Sequence, residues 1–360
     1  MEFDNYSDYV RNTVESYPQK LKKHLIDIFE KKEIIIRDDK KTMQVSLDEI
    51  GLTNIANQTL DEQLDTCFSV GKKAIEAFEE WEFEKDYKYS ILFETDDFEN
   101  VINKVNSVNS CAEKDACLSY NGVFENPVIL NKKEYLYLKF NLMYSNYNIE
   151  QGKEILLKYP FLVVFDKKLK IIEFRFDTLK SVFLADKNNK SLYIRFIDNM
   201  IQYIQNEFQC KLKTIDLSFV KNLNHKGDKN LKLVAQSMRF RNGGHAQLEV
   251  GNNEEFLLPF IDELKSLMYD FRDDLDKSPK LKNALEEYIN EKVDMSDYPW
   301  VELLWINDKA TRNIRVKFIF NYLGQEYTLM QHLYSQALIG MERMNYVKEY
   351  IIKNREYCDN

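Results

Sequence analysis

Apolar positions at the start of the 360-residue chain recur at helical spacing: Tyr9, Val10, Val14, Leu21, Leu25 and Ile28. This predicts a helix over 6–31 that Pro18 bends or interrupts. Short strands are expected near 33–37 and 42–46. Leu64, Phe68, Ile75 and Phe78 predict a second helix over 61–83. A strand over 87–94 follows, then a helix over 96–105, opened by acidic residues that suit a helix N-terminus. The run "EYLYLKFNLMY" predicts a long strand over 134–144.

Beyond residue 150 the stretch "YPFLVVFDKKLKIIEFRFD" (159–177) reads as a hairpin that turns at Asp166-Lys167-Lys168. The row Leu192, Phe196, Met200, Ile204 and Phe208 predicts a helix over 191–208. Residues 211–219 are expected to be a strand, as are "VELLWIND" and "NIRVKFIF"; in the last, Ile314, Val316, Phe318 and Phe320 alternate with Arg315 and Lys317. A terminal helix is expected from about Gln331 to Lys353. The order of elements is that of an α+β protein, not the regular βαβα alternation of a doubly wound fold. Its length suggests two domains. The polar stretch "NYNIEQ" divides them into an N-terminal mixed helical and strand domain (1–148) and a C-terminal antiparallel-sheet-plus-helices domain (149–360) with hairpins at 159–176 and 235–258.

The segment 235–268 carries a register argument. Gly243, Gly244 and Gly251 punctuate alternating residues, which predicts three strands and then a helix near 259–271. A three-residue loop at 242–244 sets Arg241 opposite His245, Phe240 opposite Ala246, Arg239 opposite Gln247 and Met238 opposite Leu248, so every pair matches in polarity. One face, with Met238, Phe240, Ala246, Leu248, Val250, Phe256 and Leu258, is expected to pack on the helix through Phe260, Leu264, Leu267 and Phe271. The other shows Ser237, Arg239, Arg241, His245, Gln247, Glu249, Glu255 and Leu257.

Charge adds a candidate ligand. The chain is acidic overall at −9, which opposes coating of nucleic acid by net charge. From Lys211 to His245, however, eight cations face two anions, Asp216 and Asp228. Residues 76–100 hold ten acids to two lysines, and 254–297 hold thirteen acids to six bases. The basic strip therefore suggests a phosphate-binding surface built from Arg239, Arg241, His245 and Gln247 with Lys211, Lys213, Lys221, Lys226 and Lys229. The competing reading is that the basic and acidic blocks pair within the chain or between copies.

Catalytic chemistry finds little support. There is no GxGxxG after a strand, no Walker motif, no GxSxG and no HExxH. Glu173 and His245 are the weak catalytic candidates. In the 159–177 hairpin, Asp166 sits in the turn and Glu173 about four residues up the second strand, on the order of 13 Å away, too far to share a metal ion. Glu173 and Arg175, two apart on one strand face, are expected to satisfy each other. Five scattered cysteines and no closely spaced histidine give no metal site and suggest reduced thiols in a cytoplasm. The start lacks a signal-peptide pattern, and no window is apolar enough to span a membrane. The reading is an intracellular binding protein without cofactor or metal. Its expected ligand is nucleic acid, and a Lys-, Asn- and Ile-rich composition suggests a bacterial or phage-conflict setting. The alternatives are a protein-complex or homo-oligomer subunit and a metal-dependent nuclease.

Overall fold

The structure is a computed structural model. It describes residues 3–37, 53–55, 58–69, 71–108, 110, 118–119, 124–148, 152–179, 191–226, 230–240, 243–250, 261–294, 297–306, 313–333 and 340–355. The fold is α+β. The chain forms two compact units, Met1–Lys213 with Leu338–Asn345, and Thr214–Ala337 with Tyr346–Asn360. The division expected at 148/149 falls between the two strands of a long hairpin in the first unit.

The first unit opens with α1 (Phe3–Glu15) and α2 (Gln19–Lys31), separated at Pro18 as its missing N–H requires. The expected 61–83 helix is two helices, α3 (Leu60–Ser69) and α4 (Lys72–Trp81). Gly71 parts them at φ 109°, a conformation that costs glycine little. The expected strand at 42–46 lies outside the described residues.

The sheet of this unit runs β1 (Tyr89–Glu94), β5 (Ile171–Phe176), β4 (Lys153–Asp166), β3 (Tyr135–Asn148), with β2 (Val128–Asn131) also on β3. Helix α5 (Phe98–Ser107) follows β1, and α6 (Ser191–Phe208) follows β5. The register sorts the side chains. Leu138, Phe140 and Leu142 share a face with Phe161, Val163, Phe174, Phe176 and Ile91. That face packs on α6, where Phe140 meets Tyr203 at 5.1 Å and Phe176 meets Tyr193 at 5.7 Å between ring centroids. The opposite face carries Lys139, Asn141, Lys158, Glu173, Arg175 and Ser90, and all of these are buried too.

The second unit is built on β6 (Leu231–Arg239), β7 (His245–Glu249), β8 (Asp297–Trp305), β9 (Ile314–Ile319) and β10 (Leu329–Leu333), in the order β7-β6-β8-β9-β10 with every pair antiparallel. Residues 211–219 give only the short strand Lys213–Thr214 and then a 3-10 turn over Ser218–Lys226. The last helix begins at Glu342, as α10 (Glu342–Arg355). Gln331 and His332 instead lie in β10, where Leu329, Met330 and His332 are buried. Between β7 and β8 lie three helices, α7 (Ile261–Asp270), α8 (Arg272–Leu275) and α9 (Pro279–Asp294).

The β6–β7 register differs from expectation by two residues: Arg239 faces His245, Met238 faces Ala246, Ser237 faces Gln247 and Gln236 faces Leu248. The turn sits one residue earlier than expected, closed by Phe240 N–H to Gly244 O at 2.8 Å and Gly243 N–H to Phe240 O at 3.0 Å. A shift of two leaves each residue on its expected face, so Met238 and Leu248 still form a core with Phe240 and Val250 packed against it. The strand expected at 254–258 lies outside the described residues. On its other side β6 pairs with β8.

Candidate functional site

The expected basic strip is only partly assembled. Arg239, His245 and Gln247 are exposed on one face of β6 and β7, and Ser237 Oγ is 2.7 Å from His245 Nε2. Pairing extends this face to Trp300, Glu302, Lys317 and Gln331. The face brings its own anions. Arg315 is bonded to Glu302 and, at 2.9 Å, to Glu249, and Arg239 lies opposite Asp297. Lys317 Nζ sits 3.4 Å from the Trp300 ring centroid, and burial lowers its pKa. Lys221 rests on the Phe320 ring at 4.7 Å. Lys211 and Lys213 belong to the first unit, where Lys213 pairs with Asp96 at 2.6 Å. Arg241 and Lys229 lie outside the described residues, as does the side chain of Lys226.

The nuclease candidates are engaged elsewhere. Glu173 accepts a hydrogen bond from Arg175 at 2.6 Å, as the i, i+2 spacing predicted. Arg175 also donates to Asn345 Oδ1 at 2.6 Å. Asp166 Oδ1 accepts the N–H groups of Lys168 and Leu169 at 3.1 and 2.9 Å, which closes the turn. The separation expected between the two carboxylates needs correction. Asp166 faces Ile171 and Glu173 faces Val164, so they are diagonal neighbours on one sheet face, about 7–8 Å apart by ladder geometry. Among the described residues no cluster of three or more potential ligands could hold a metal ion.

Sequence reasoning missed a buried ionic layer on that same face of the first unit. Lys139 Nζ donates to Glu79 and Glu82 at 2.5 and 3.0 Å, and Lys158 Nζ to the same two carboxylates at 2.5 Å each. The Tyr6 hydroxyl also donates to Glu79, at 2.5 Å. Both lysines lie against aromatic rings, Lys139 on Phe83 and Lys158 on Phe78, each at 4.7 Å. Burial alone would raise the Glu79 carboxyl, but the two ammonium groups hold it well below the usual carboxylate range. Helix α1 fixes the strand beside Lys158. Thr13 Oγ donates to the Lys158 carbonyl at 2.7 Å and accepts its N–H at 2.9 Å.

The layer continues with Lys85 bonded to Asp177 and Arg343 3.5 Å from Asp86. Each buried cation named here has a carboxylate against it, so the layer presents no surplus charge to a substrate. Burial pushes the Asp86 carboxyl up to about 6 against the pull of Arg343, Lys85 and Arg175. The neighbouring cavity, lined by Thr13, Tyr17, Lys158 and Asp177, has about 10 Å³, which is room for about one water. The sequence signal was a lone lysine at mid-strand in "LYLKFNL" and "LLKYPFL", with Glu79 and Glu82 one helical turn apart in "AFEEWEF".

The segment 261–294 breaks the pattern in the other direction. The expected packing of its first helix on the β6–β7 core through Leu267 and Phe271 is not found: they are 53% and 56% exposed. Leu281 is 54% exposed and Tyr288 55%. Of the side chains described from 263 to 290, only Ile289 is buried. Between α7 and α9 runs a groove of about 280 Å³ whose apolar lining is Met268, Tyr269, Leu275 and Ile289. Lys265, Arg272, Lys282 and Glu286 also line it. Positions 265, 268 and 269 on α7, like 282, 286, 289 and 290 on α9, recur at helical spacing, so each set shares one side of its helix, and Arg272 and Leu275 come from α8.

Comparison with known protein families finds no match, and comparison with curated proteins finds none. No helix among the described residues is long and apolar enough to cross a membrane.

Proposed function

We propose that the protein acts by binding another protein, as a subunit of an assembly, through the helical segment 261–294. The observation that carries this reading is the exposure of Leu267, Phe271, Leu281 and Tyr288 in a segment where, among the described side chains, Ile289 alone is buried. Helices of 10 and 16 residues are marginal in water without tertiary packing. Apolar groups grouped on a surface are the usual mark of a protein contact. Aromatic and long aliphatic anchors of this kind supply most of the free energy at such contacts. The free thiols Cys67 and Cys210, the first pushed up to about 12 by burial, suit a reducing compartment.

Nucleic-acid binding is the second reading, favoured by exposed Arg239, His245 and Gln247 beside the Lys317–Trp300 pair. Glu249, Glu302 and Asp297 on or beside the same face weaken it, because they compete with phosphate for those cations. Native mass spectrometry of the protein recovered from its source cells separates the two. The assembly reading expects a defined protein complex that is lost in a Leu267→Ser, Phe271→Ser, Leu281→Ser, Tyr288→Ser variant with unchanged folding. Bound oligonucleotide, released by salt and lost on Arg239→Ala with Arg241→Ala, would replace that reading with the second.

A further inference from the structure

We infer that the groove between α7 and α9 receives an acidic amphipathic helix of the partner protein, with apolar anchors against Met268, Tyr269, Leu275 and Ile289 and carboxylates against Lys265, Arg272 and Lys282. The inference rests on the assembly reading above and names the chemistry of the partner.

The charge of the groove runs against the composition of the segment. Residues 261–294 hold more acids than bases, which by itself would suggest a basic ligand. The lining of the groove is the reverse: three cations, Lys265, Arg272 and Lys282, against one anion, Glu286. Two carboxylates that touch these cations, Asp273 at 3.7 Å from Arg272 and Asp276 at 2.8 Å from Lys282, do not line the groove. These pairs are solvent-exposed, with side-chain exposures of 60% and 91% for Arg272 and Asp273. Exposed pairs hold their partners weakly and exchange them readily.

Shape and apolar content fit a helix. Two neighbouring helices whose facing positions recur at three- and four-residue spacing leave a trough that takes the apolar stripe of a third, by the helix-in-groove mode. About 280 Å³ accommodates one or two large side chains, and the stems of the rim lysines extend its apolar wall. Arg272 already lies 5.0 Å from the Tyr269 ring centroid, which sets its guanidinium beside the aromatic wall for a bidentate contact with a carboxylate.

The test uses the full chain and two fluorescein-labelled synthetic peptides of about 18 residues, roughly five helical turns. Both carry leucine and phenylalanine on one face; the other face is glutamate in one and lysine in the other. Fluorescence anisotropy is expected to show saturable binding of the acidic peptide, weakened at least about tenfold between low and high salt. Lys265→Glu with Arg272→Glu and Lys282→Glu should weaken it by a further factor of about 100, on the scale of two to three exposed charge contacts. The same variant should bind the lysine peptide better than wild type does. A lysine peptide that binds the wild type as tightly as the acidic one overturns the inference but leaves the assembly reading standing. Binding of neither peptide, with light scattering and stability unchanged by the four serine substitutions, overturns both. A wild-type dimer that the Lys265→Glu, Arg272→Glu, Lys282→Glu variant dissolves places a second copy in the groove and overturns the inference.

Discussion

The first unit and the 261–294 segment break the rule of apolar inside and polar outside in opposite directions. In the first unit Lys139, Lys158, Glu79 and Glu82 are withdrawn from water, and each ammonium meets two carboxylates within 3.0 Å. In the segment, Leu267, Phe271, Leu281 and Tyr288 stay more than half exposed. The buried charges answer one another within the unit, so they specify how α4 sits on β3 and β4. The apolar groups of the segment keep more than half of their surface in water, which is the ground for the protein contact proposed above. An unusual side chain is thus informative about function only once its surroundings are known.

Removing one member of the ionic layer should give the largest effect. Lys158→Met leaves two buried carboxylates with one cation and is expected to cost about 3–5 kcal/mol in chemical denaturation. Replacing the set together, by Lys139→Met, Lys158→Met, Glu79→Leu and Glu82→Leu, should restore stability to within about 2 kcal/mol, because no uncompensated charge remains. If the single and the fourfold variants lose the same amount, the four groups do not act as one network.

Glu173→Ala should cost on the order of 3 kcal/mol, since it leaves the Arg175 guanidinium buried with Asn345 as its remaining named contact. It should leave no Mg²⁺- or Mn²⁺-dependent cleavage to be lost. Cleavage by the wild type that the substitution removes would return this hairpin to the nuclease reading.

Two carboxyls in the first unit should set opposite pH slopes. Asp86 is pushed up to about 6 in the folded chain, so between about pH 6 and 4 the folded state holds a proton there that the unfolded state lacks. Stability from this group therefore rises as pH falls from about 7 to 5, and Asp86→Asn should flatten that rise. Glu79 is depressed in the folded state, so its contribution is present above the ordinary Glu range and is lost as pH falls through and below it. Denaturation midpoints followed from about pH 7 to 3 should pass through a maximum near pH 5 in the wild type.

The smallest changes in stability are expected outside the layer. Each serine substitution at Leu267, Phe271, Leu281 or Tyr288 should shift stability by no more than about 0.5 kcal/mol. Lys213→Ala, which breaks the exposed pair with Asp96, should cost less than about 1 kcal/mol. A serine substitution that cost as much as Lys158→Met would mean that the segment already packs on the rest of its own chain.

Faces were more legible in the sequence than registers. Alternation put Met238 and Leu248 inside and Arg239, His245 and Gln247 outside, and the structure agrees although the strands pair two residues away from the expected register. Parity fixes a face, and any even shift preserves it. The i, i+2 pairing of Glu173 with Arg175 was legible because both partners sit on one strand. The Lys139–Glu79 and Lys158–Glu82 contacts were not, since they join residues 60 and 76 positions apart. Strands buried on both faces also read as nearly unbroken apolar runs, which hides a polar inner face. For 261–271, spacing revealed an amphipathic helix but not what covers it, and the acidic composition concealed a groove whose charged lining is three cations to one anion.

Hydrogen–deuterium exchange of the 360-residue chain, alone and with the acidic peptide, distinguishes a segment open to a partner from one already packed. Fast exchange is expected across 261–294 in the free chain, with protection there on adding the peptide, and slow exchange at 136–143 and 157–165 in both samples. Amides of 261–294 as protected in the free chain as those of the buried strands would show that the segment is already satisfied from within, and would contradict the account.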